Sequence, residues 1–317
     1  MNFIEAVDAN IEQMIKFSVF GIISLGTKHN VFSLLSRGLT VQELIDAVNL
    51  PNRGLLLSFI ETLERLKIVE KNNGRLYLNG FSYTINLPDD KYDLLIPDWV
   101  PIHEEIYRMV DYAFITPVHP HVLMDFDKDA DFWDIRMSTR FSQVYRKAMA
   151  HVAGLRPGMH VLDIGCGSYS PLQFGEMVGY SGFYLGIDYS PALIEIARAR
   201  TEDKSLPVEL KEMDAKLIRP VNEYDSIFIS FVLEYLDDFP IVLKRALEVL
   251  KPGGKMVILE PFRDTFKYVP ALEFFESLNK DFVGFPSVSE VKEAIVREGF
   301  DVEMSQPAKS MLVVKKM

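Results

Sequence analysis

From about residue 159 onward, short apolar runs alternate with segments of helical periodicity, and this alternation limits the possible fold more than any other feature of the chain. The helical segments include 191–201 and 240–250, and the second is followed by the Pro-Gly-Gly run at 252–254, which predicts a helix stop. Strands that alternate with helices pair in parallel, because each helix carries the chain back to the same end of the sheet. The pattern therefore predicts an α/β domain with a doubly wound, mostly parallel sheet. The predicted strands are 160–164, 183–187, 208–213, 226–230 and 256–260, with a terminal pair at 300–304 and 311–315.

Residues 1–80 have a different pattern, in which helices are followed by a small hairpin. Apolar residues recur three and four positions apart. Thr40 and Glu43 form the Thr-x-x-Glu pattern that begins a helix. Three helices and a two-stranded wing describe a winged-helix domain. The predicted elements are helices at 4–20, 41–48 and 52–66 and strands at 68–70 and 75–78.

Many winged-helix domains bind DNA, so the charge of residues 1–80 bears on their role. This segment has eight Lys or Arg and eight Asp or Glu, and the whole chain has a formal net charge of -11. The helix at 52–66 is mostly Leu, Ile and Phe, which suits packing against protein rather than phosphate. We therefore expect no nucleic-acid binding. The apolar run 17–26 and a helix near 102–113 predict a homodimer interface instead.

Residues 81–150 are interrupted by prolines, and helices are expected only at about 102–113 and 138–153. The segment is rich in aromatic residues. These side chains either line a pocket or pack between two domains, and both interpretations stay open. The aromatic residues are Tyr92, Trp99, Tyr107, Tyr112, Phe114, Phe126, Phe132 and Trp133.

Cysteine content and hydropathy indicate the cellular compartment. Cys166 is the single cysteine, which excludes an intrachain disulfide and a zinc site made of thiolates. The run 17–26 is about half the length that a bilayer span needs, and Glu5 and Asp8 lie where a secretory signal is basic. We expect a cytoplasmic protein without membrane contact.

The first predicted strand ends in a carboxylate followed by a glycine-rich turn. Gly165 and Gly167 allow a ligand to lie against the backbone. The dinucleotide pattern Gly-x-Gly-x-x-Gly fails, because residue 170 is serine. Asp163, two residues before the first glycine, would repel a pyrophosphate and attract an ammonium or sulfonium group. The sequence therefore predicts a cationic ligand.

Two further acids follow the next two predicted strands. Asp188 ends the second strand, where a carboxylate can accept hydrogen bonds from both hydroxyls of a ribose. Asp214, with Ala215 after it, follows the third strand, where a carboxylate can bind the amino group of adenine. A cationic end, a ribose and an adenine together describe S-adenosylmethionine.

With these motifs the chain resembles the class I S-adenosylmethionine-dependent methyltransferases. Asp163-x-Gly165-x-Gly167 matches the first motif of that family, and 224–230 and 250–254 match its later strand and turn. The N-terminal half resembles the winged-helix dimerisation domain of small-molecule O-methyltransferases. The resemblance implies a seven-stranded sheet, S-adenosylmethionine as cofactor, a small-molecule acceptor and a homodimer. The implied cofactor-binding residues are Asp163, Gly165, Gly167, Asp188, Tyr189, Asp214, Ala215, Ser230 and Phe231.

The resemblance also divides the chain into three parts. Residues 1–80 are the expected winged-helix dimerisation domain, 81–153 a helical connector that roofs the pocket, and 154–317 the cofactor-binding domain. In the resembling enzymes the helix before the first strand closes over cofactor and acceptor, so an apolar or aromatic acceptor is implied. Where that family has a third glycine, this chain has Tyr169. The predicted substrate-pocket residues are Trp133, Met137 and Tyr169, although methionine and aromatic residues at helical spacing also suit a core.

The candidate catalytic residue is Glu234. The resembling O-methyltransferases have a histidine base just past the fourth strand, and Glu234 lies at that place. A phenol or alcohol acceptor benefits from a base, because it is mostly protonated at neutral pH. Glu234 can serve as that base, can contact acceptor or cofactor without proton transfer, or can be a structural polar residue. We expect methyl transfer to oxygen, with transfer to nitrogen or carbon and a regulator without turnover as alternatives.

No metal site is expected. His119 and His121 flank a proline, but a third ligand is not evident. A run that begins at Asp125 starts like a calcium loop, but Ala130 and Arg136 occupy the positions where such a loop needs glycine and glutamate.

Overall fold

The computed structural model describes residues 3–83, 95, 97–117, 124–219 and 223–317. Tyr92, His119 and His121 lie outside these residues. Within them, no helix combines the length and the apolar character needed to cross a membrane. The helices are α1 Phe3–Lys28, α2 Val31–Leu35, α3 Val41–Val48, α4 Arg53–Arg65, α5 Val100–Phe114, α6 Ala130–Met137, α7 Arg140–Ala153, α8 Ser170–Val178, α9 Pro191–Thr201, α10 Phe239–Val249, α11 Val269–Glu276 and α12 Val288–Arg297. The strands are β1 Leu39–Thr40, β2 Val69–Asn72, β3 Arg75–Leu78, β4 His160–Ile164, β5 Phe183–Asp188, β6 Val208–Glu212, β7 Tyr224–Ser230, β8 Leu250–Leu259, β9 Val302–Ala308 and β10 Met311–Lys316.

The large sheet has seven strands in the order β6-β5-β4-β7-β8-β10-β9. Strands β4 to β8 pair in parallel, whereas β10 runs antiparallel to both of its neighbours. The predicted doubly wound, mostly parallel sheet is therefore confirmed. The strand order reverses between β4 and β7, and in such sheets ligands bind at the carboxyl edge beside that reversal.

The small N-terminal sheet has the antiparallel order β1-β3-β2. The helix start predicted at Thr40 is present: the backbone N–H of Glu43 donates to Thr40 Oγ1 over 3.2 Å, and the Thr40 N–H donates to Glu43 Oε2 over 2.8 Å. Helices α3 and α4 are followed by the β2–β3 hairpin in the expected order, with the short β1 added at the edge. The assignment of this region as a winged-helix dimerisation domain stays a prediction.

Two elements differ from the sequence expectation. Helix α10 ends at Val249 as predicted, and residues 251–254 lie within strand β8, between Leu250, which pairs with Tyr224, and Lys255, which pairs with Ser226. The pairing of β7 with β8 shifts its register between Tyr224 and Ser226, which accommodates the extra residues of the longer strand. Helix α1 is also longer than the predicted 4–20, because it continues through the whole apolar run to Lys28.

Helix α1 connects the two parts of the molecule. The buried residues of its first half, such as Val7 and Ile11, belong to the core cluster of α7 and the large sheet. Those of its second half, such as Ile22 and Leu25, pack with the N-terminal helices and α11. The N-terminal helix therefore has its apolar residues in both cores.

Candidate functional site

Two adjacent cavities lie at the carboxyl edge of the large sheet. The larger has a volume of about 350 Å³ and includes the ends of β5 and β6. The smaller has a volume of about 100 Å³ and lies under α6 and α7. Their linings join, because five residues border both cavities. These are Phe126, Met137, Gly165, Phe231 and Tyr235.

The larger cavity brings together the acids predicted after β5 and β6. Asp188 accepts hydrogen bonds from the backbone N–H groups of Gly167 over 2.8 Å and Ser190 over 2.9 Å. Asp214 accepts from the Lys216 N–H over 2.8 Å. Burial raises the pKa of Asp188 above its ordinary value. Tyr189 and Ala215 line the same cavity, as do Gly165 and Phe231. Six of the predicted cofactor-binding residues therefore border the larger cavity.

The glycine turn packs so closely against its neighbours that larger residues would collide with them. A Cβ atom at Gly165 would lie 2.3 Å from Val232 Cγ2, and one at Gly167 would lie 2.4 Å from Met137 Sδ. Both glycines also have positive φ angles, of 66° and 55°. The turn therefore requires glycine at both positions, and Gly165 borders both cavities.

Three predicted site residues do not line either cavity as the described residues define them. Asp163 is almost fully buried behind the turn, where the Tyr184 hydroxyl donates to it over 2.7 Å. Burial raises the pKa of Asp163 to about 7. Gly167 holds Asp188 through its N–H. The ring of Tyr169 lies between two guanidinium groups, those of Arg146 at 5.3 Å and Arg200 at 5.0 Å.

Arg146 is a site residue that the sequence analysis missed. It is buried, lines the smaller cavity, and donates from Nε to Ser170 Oγ over 2.7 Å and from Nη2 to the Met137 carbonyl over 2.9 Å. Its Nη1 is buried without an acceptor among the described residues. A charged N–H left in this state is costly, and a ligand carboxylate would satisfy it. The methionine end of S-adenosylmethionine carries such a carboxylate, so this donor fits the cofactor.

Seven aromatic residues contribute to the lining of the smaller cavity. The predicted pocket residues Trp133 and Met137 line it, as does Ser230. Phe231 forms part of its boundary with the larger cavity and has a φ angle of 53°, which is unfavourable for a bulky side chain. Such a conformation is kept where surrounding contacts hold it. The aromatic lining comprises Trp99, Phe126, Trp133, Phe141, Tyr145, Phe231 and Tyr235.

Glu234 also lines this cavity, from a 3-10 turn at Leu233–Tyr235 just past β7. The backbone N–H groups of Val283 and Gly284 donate to its carbonyl oxygen over 2.7 and 3.3 Å, which anchors the turn. Burial, and next the charge of the neighbouring Glu260, raise the pKa of the Glu234 carboxyl well above its ordinary value. The uncharged form of Glu234 is therefore favoured relative to a solvent-exposed glutamate.

The sequence analysis did not single out Glu260 or the cationic role of Arg136. Arg136 lines the smaller cavity and forms a two-pronged ion pair with Glu276, over 2.9 and 2.6 Å. Glu260 directly follows β8, the strand beside β7. An acid just past a strand at the carboxyl edge, the same signal that identified Glu234, would have found Glu260.

Helix α6 forms the roof above the glycine turn through polar contacts. Arg200 donates to both oxygens of Asp134, over 2.7 and 2.9 Å. The Ser168 hydroxyl donates to the same carboxylate over 2.6 Å. Since Ser168 follows Gly167 in the turn, these bonds hold the roof to the loop that borders both cavities.

Part of the chain matches a known family, and two known sequences are similar to it. Residues 155–297 match the family described as methyltransferase domain. An uncharacterized protein of Methanocaldococcus jannaschii is 28% identical over 319 residues, which cover 99% of this chain and 87% of that protein. A demethylmenaquinone methyltransferase of Staphylococcus aureus is 29% identical over 201 residues, which cover 56% of this chain and 83% of that enzyme.

Solved structures share the complete fold. The CurJ carbon methyltransferase matches 98% of this chain and 95% of its own, with a TM-score of 0.61 and 14% identity. An O-methyltransferase family 2 protein from Planctomyces limnophilus, solved in complex with apigenin, matches 96% of this chain and 95% of its own, with a TM-score of 0.51 and 16% identity. At these identities the likeness establishes a shared fold alone, over both the large sheet and the N-terminal helical part.

Proposed function

We propose that the chain, an S-adenosylmethionine-dependent methyltransferase, methylates a small aromatic molecule at an oxygen atom. One observation carries this proposal. An aromatic cavity adjoins the larger cavity at Gly165 and Phe231, and Glu234 lines it. A flat apolar ring suits such a lining, and an ionisable group on the ring would meet the carboxyl group of Glu234.

We propose that the cofactor binds in the larger cavity and reaches Arg146 at the adjoining smaller cavity. We assign Asp188 to the ribose hydroxyls and Asp214 with Ala215 to the adenine. Arg146 is assigned to the methionine carboxylate, and Asp163 to the ammonium group behind the turn. When bound, S-adenosylmethionine supplies an electrophilic methyl group on a sulfonium. The protein itself then has to hold the acceptor in line and exclude water, which the buried aromatic lining favours.

Transfer to carbon is a second candidate. A protein named as a carbon methyltransferase shares this fold, as does one named as an O-methyltransferase, so the fold suits either atom. The sequence relative that acts on demethylmenaquinone also indicates a flat ring as acceptor. Both candidates need an acceptor that loses a proton, and both therefore use the carboxyl group in the smaller cavity.

We further propose a homodimer formed through residues 1–80 and α5. Large apolar side chains on the outer faces of these elements support it: Phe17 is 41% exposed and Phe20 61% on α1, and Tyr112 is 58% exposed on α5. A cytoplasmic location and the division into 1–80, 81–153 and 154–317 stay predictions of the sequence.

The experiment is a transfer screen. The purified protein is incubated with S-adenosylmethionine labelled in its methyl group and a panel of phenols, quinols, enols and aromatic amines. We expect the label in an extractable small product, and NMR of that product identifies the methylated atom. A label on carbon would support the second candidate instead. Label found only in added protein or nucleic acid would contradict both.

A further inference from the structure

We propose that Tyr169 is a positioning residue, whose ring holds the Arg146 guanidinium where Nη1 meets the carboxylate at the methionine end of the cofactor. Tyr169 stands where the resembling family has a third glycine, so the contact is a departure from the family pattern. The inference rests on the proposed function, because it starts from the assignment of Arg146 to that carboxylate. It adds the residue that orients Arg146 and makes the carboxylate a requirement for tight cofactor binding.

Arg146 is a buried cation whose hydrogen-bond acceptors within the protein are uncharged. The residue is 1% exposed, and it donates to the Ser170 hydroxyl over 2.7 Å and to the Met137 carbonyl over 2.9 Å. Its Nη1 atom is buried without an acceptor in the part of the chain that the structure describes. Burying a charge is costly unless an opposite charge and hydrogen bonds compensate for it. An anionic group of a ligand at Nη1 would complete this compensation.

Aromatic rings supply a second kind of contact to the same guanidinium. The Cζ atom of Arg146 lies 5.3 Å from the centroid of the Tyr169 ring and 5.1 Å from that of Tyr145, its neighbour in α7. A guanidinium within about 6 Å of a ring centroid is attracted to the ring, and more strongly where water is excluded. A ring contact of this kind does not use the N–H donors of the guanidinium. Nη1 therefore stays available to a ligand.

The Tyr169 ring is itself held by a second arginine. The Cζ atom of Arg200 lies 5.0 Å from the same ring centroid. Arg200 is fixed in turn, because it donates to both carboxylate oxygens of Asp134 and, over 2.7 Å, to the carbonyl oxygen of Ser168. Tyr169 also lies between two buried residues, Ser168 and Ser170. The position of the ring is therefore set by its backbone and by Arg200.

Tyr169 and Ser170 together orient the guanidinium. One residue supplies the ring, and the next supplies the hydroxyl that accepts from Nε. The smaller cavity is lined by Arg146, Ser170 and Gly165, and Gly165 also borders the larger cavity. In this arrangement the methionine end of a cofactor in the larger cavity reaches the guanidinium beside the glycine turn. Without the ring, Arg146 would keep its charge but lose part of its orientation, so the carboxylate would be bound less tightly.

Titration calorimetry with two ligands tests the inference and needs no methyl acceptor. S-adenosylmethionine and its decarboxylated form differ only in the carboxylate assigned to Arg146. For the wild type we expect S-adenosylmethionine to bind about 10- to 150-fold more tightly, the range for a hydrogen bond to a charged group. Arg146→Met should remove this preference and leave the affinity for the decarboxylated form nearly unchanged. Equal affinities for both ligands in the wild type and in Arg146→Met would contradict the assignment of Arg146, and the inference with it.

Substitutions of Tyr169 test the ring itself. Tyr169→Phe keeps the ring that contacts both guanidinium groups, so it should keep the preference of the wild type. Tyr169→Leu and Tyr169→Met have no ring and should weaken S-adenosylmethionine binding by about 2- to 30-fold, with little change for the decarboxylated form. In the Arg146→Met background, Tyr169→Leu should have no further effect. Tyr180→Leu, at an 83% exposed position, is the matched control.

The outcomes separate the role of Tyr169 from the proposed function. If Arg146→Met abolished the preference for the carboxylate and both ring-free variants kept it, the role of Tyr169 would be overturned and the assignment of Arg146 would stand. A loss of affinity for both ligands alike, in ring-free variants whose circular dichroism matches the wild type, would also overturn that role. A failed transfer screen together with the expected calorimetry would contradict only the proposed function.

Discussion

Asp188 uses both of its carboxylate oxygens within the protein, since Gly167 and Ser190 each donate a backbone N–H to it. The carboxylate has further lone pairs, which can accept hydrogen bonds from the two ribose hydroxyls. Replacing it by alanine removes the charged acceptor and one support of the glycine turn. This residue therefore links the shape of the turn to the proposed binding of the cofactor.

We predict that Asp188→Ala weakens S-adenosylmethionine binding by about 1.5–3 kcal/mol, the range for hydrogen bonds to a charged group. This corresponds to roughly a 10- to 150-fold higher Kd. Titration calorimetry measures it, with Asp203→Ala on the exposed 3-10 turn at Glu202–Lys204 as control. An unchanged affinity would remove Asp188 from the cofactor site.

Asp163 leads to a prediction about stability and pH. Burial raises its pKa from 3.8 to about 7 in the folded protein. Between these values the folded state holds a proton that the unfolded state has released, so the free energy of unfolding falls as the pH rises. One such proton contributes up to about 1.4 kcal/mol per pH unit.

We therefore expect the wild type to have a higher Tm at about pH 5.5 than at about pH 7.5, and Asp163→Asn to show a smaller difference. The asparagine keeps an oxygen for the Tyr184 hydroxyl but does not titrate. Thermal unfolding across this range, with Asp203→Asn as control, measures the change. Equal slopes in the wild type and Asp163→Asn would contradict the raised pKa.

At the scale of elements, α6 depends on polar contacts more than on its own apolar face. Only Ala130 and Trp133 are buried along the eight residues of this helix. The Asp134 carboxylate, bound by Arg200 and Ser168, connects it to α9 and to the glycine turn. The roof is therefore the element most easily loosened by a single polar substitution.

We predict that Asp134→Ala lowers the free energy of local unfolding of α6 by about 1 kcal/mol, which is typical of a partly exposed ion pair with an added hydrogen bond. Amide hydrogen exchange in 130–137 should become faster, and S-adenosylmethionine affinity should fall several-fold. Glu105→Ala, which removes an exposed ion pair with Arg108 on α5, is the control. If amide exchange in α6 stayed unchanged, the contacts of Asp134 with Arg200 and Ser168 would not be what holds α6 in place.

Most elements were predictable because their signals are local. The Thr40 capping box and the strand at 160–164 appear where the sequence places them. The place of 251–254 within strand β8 was not predictable, because Pro-Gly-Gly is typical of a turn. Leu250 pairs with Tyr224 and Lys255 with Ser226, so pairing with β7 on both sides of this run includes it in the strand.

At the scale of the molecule, the proposed dimer gives the fourth prediction. Light scattering should give a mass of about twice 36.3 kDa. Phe20→Glu should yield monomers, because a charge in the centre of an apolar interface cannot be paired there. Tyr180→Glu, at an 83% exposed position on the cofactor-binding domain, should leave the dimer intact. A wild type with the mass of one chain at micromolar concentration would refute the dimer.

The sequence by itself determined the parallel sheet, the glycine turn and the acids after β5 and β6. These follow from residue spacing within one strand and its loop, together with the rule that parallel strands end at one edge. The sequence also placed Glu234 at that edge. It left three roles open for this residue and did not determine its protonation state.

Only the tertiary structure decided which other polar groups lie at or near the smaller cavity. Arg146 lines it from α7 and contacts Ser170, whereas Glu260, just past β8, contacts the backbone of Val232, so both contacts join segments that are separate in the sequence. Burial beside a second carboxyl raised the pKa of Glu234, and the packing of Tyr169 between two arginines placed its ring away from both cavities. Desolvation and contacts between distant segments depend on the packed molecule, so no local pattern could contain them.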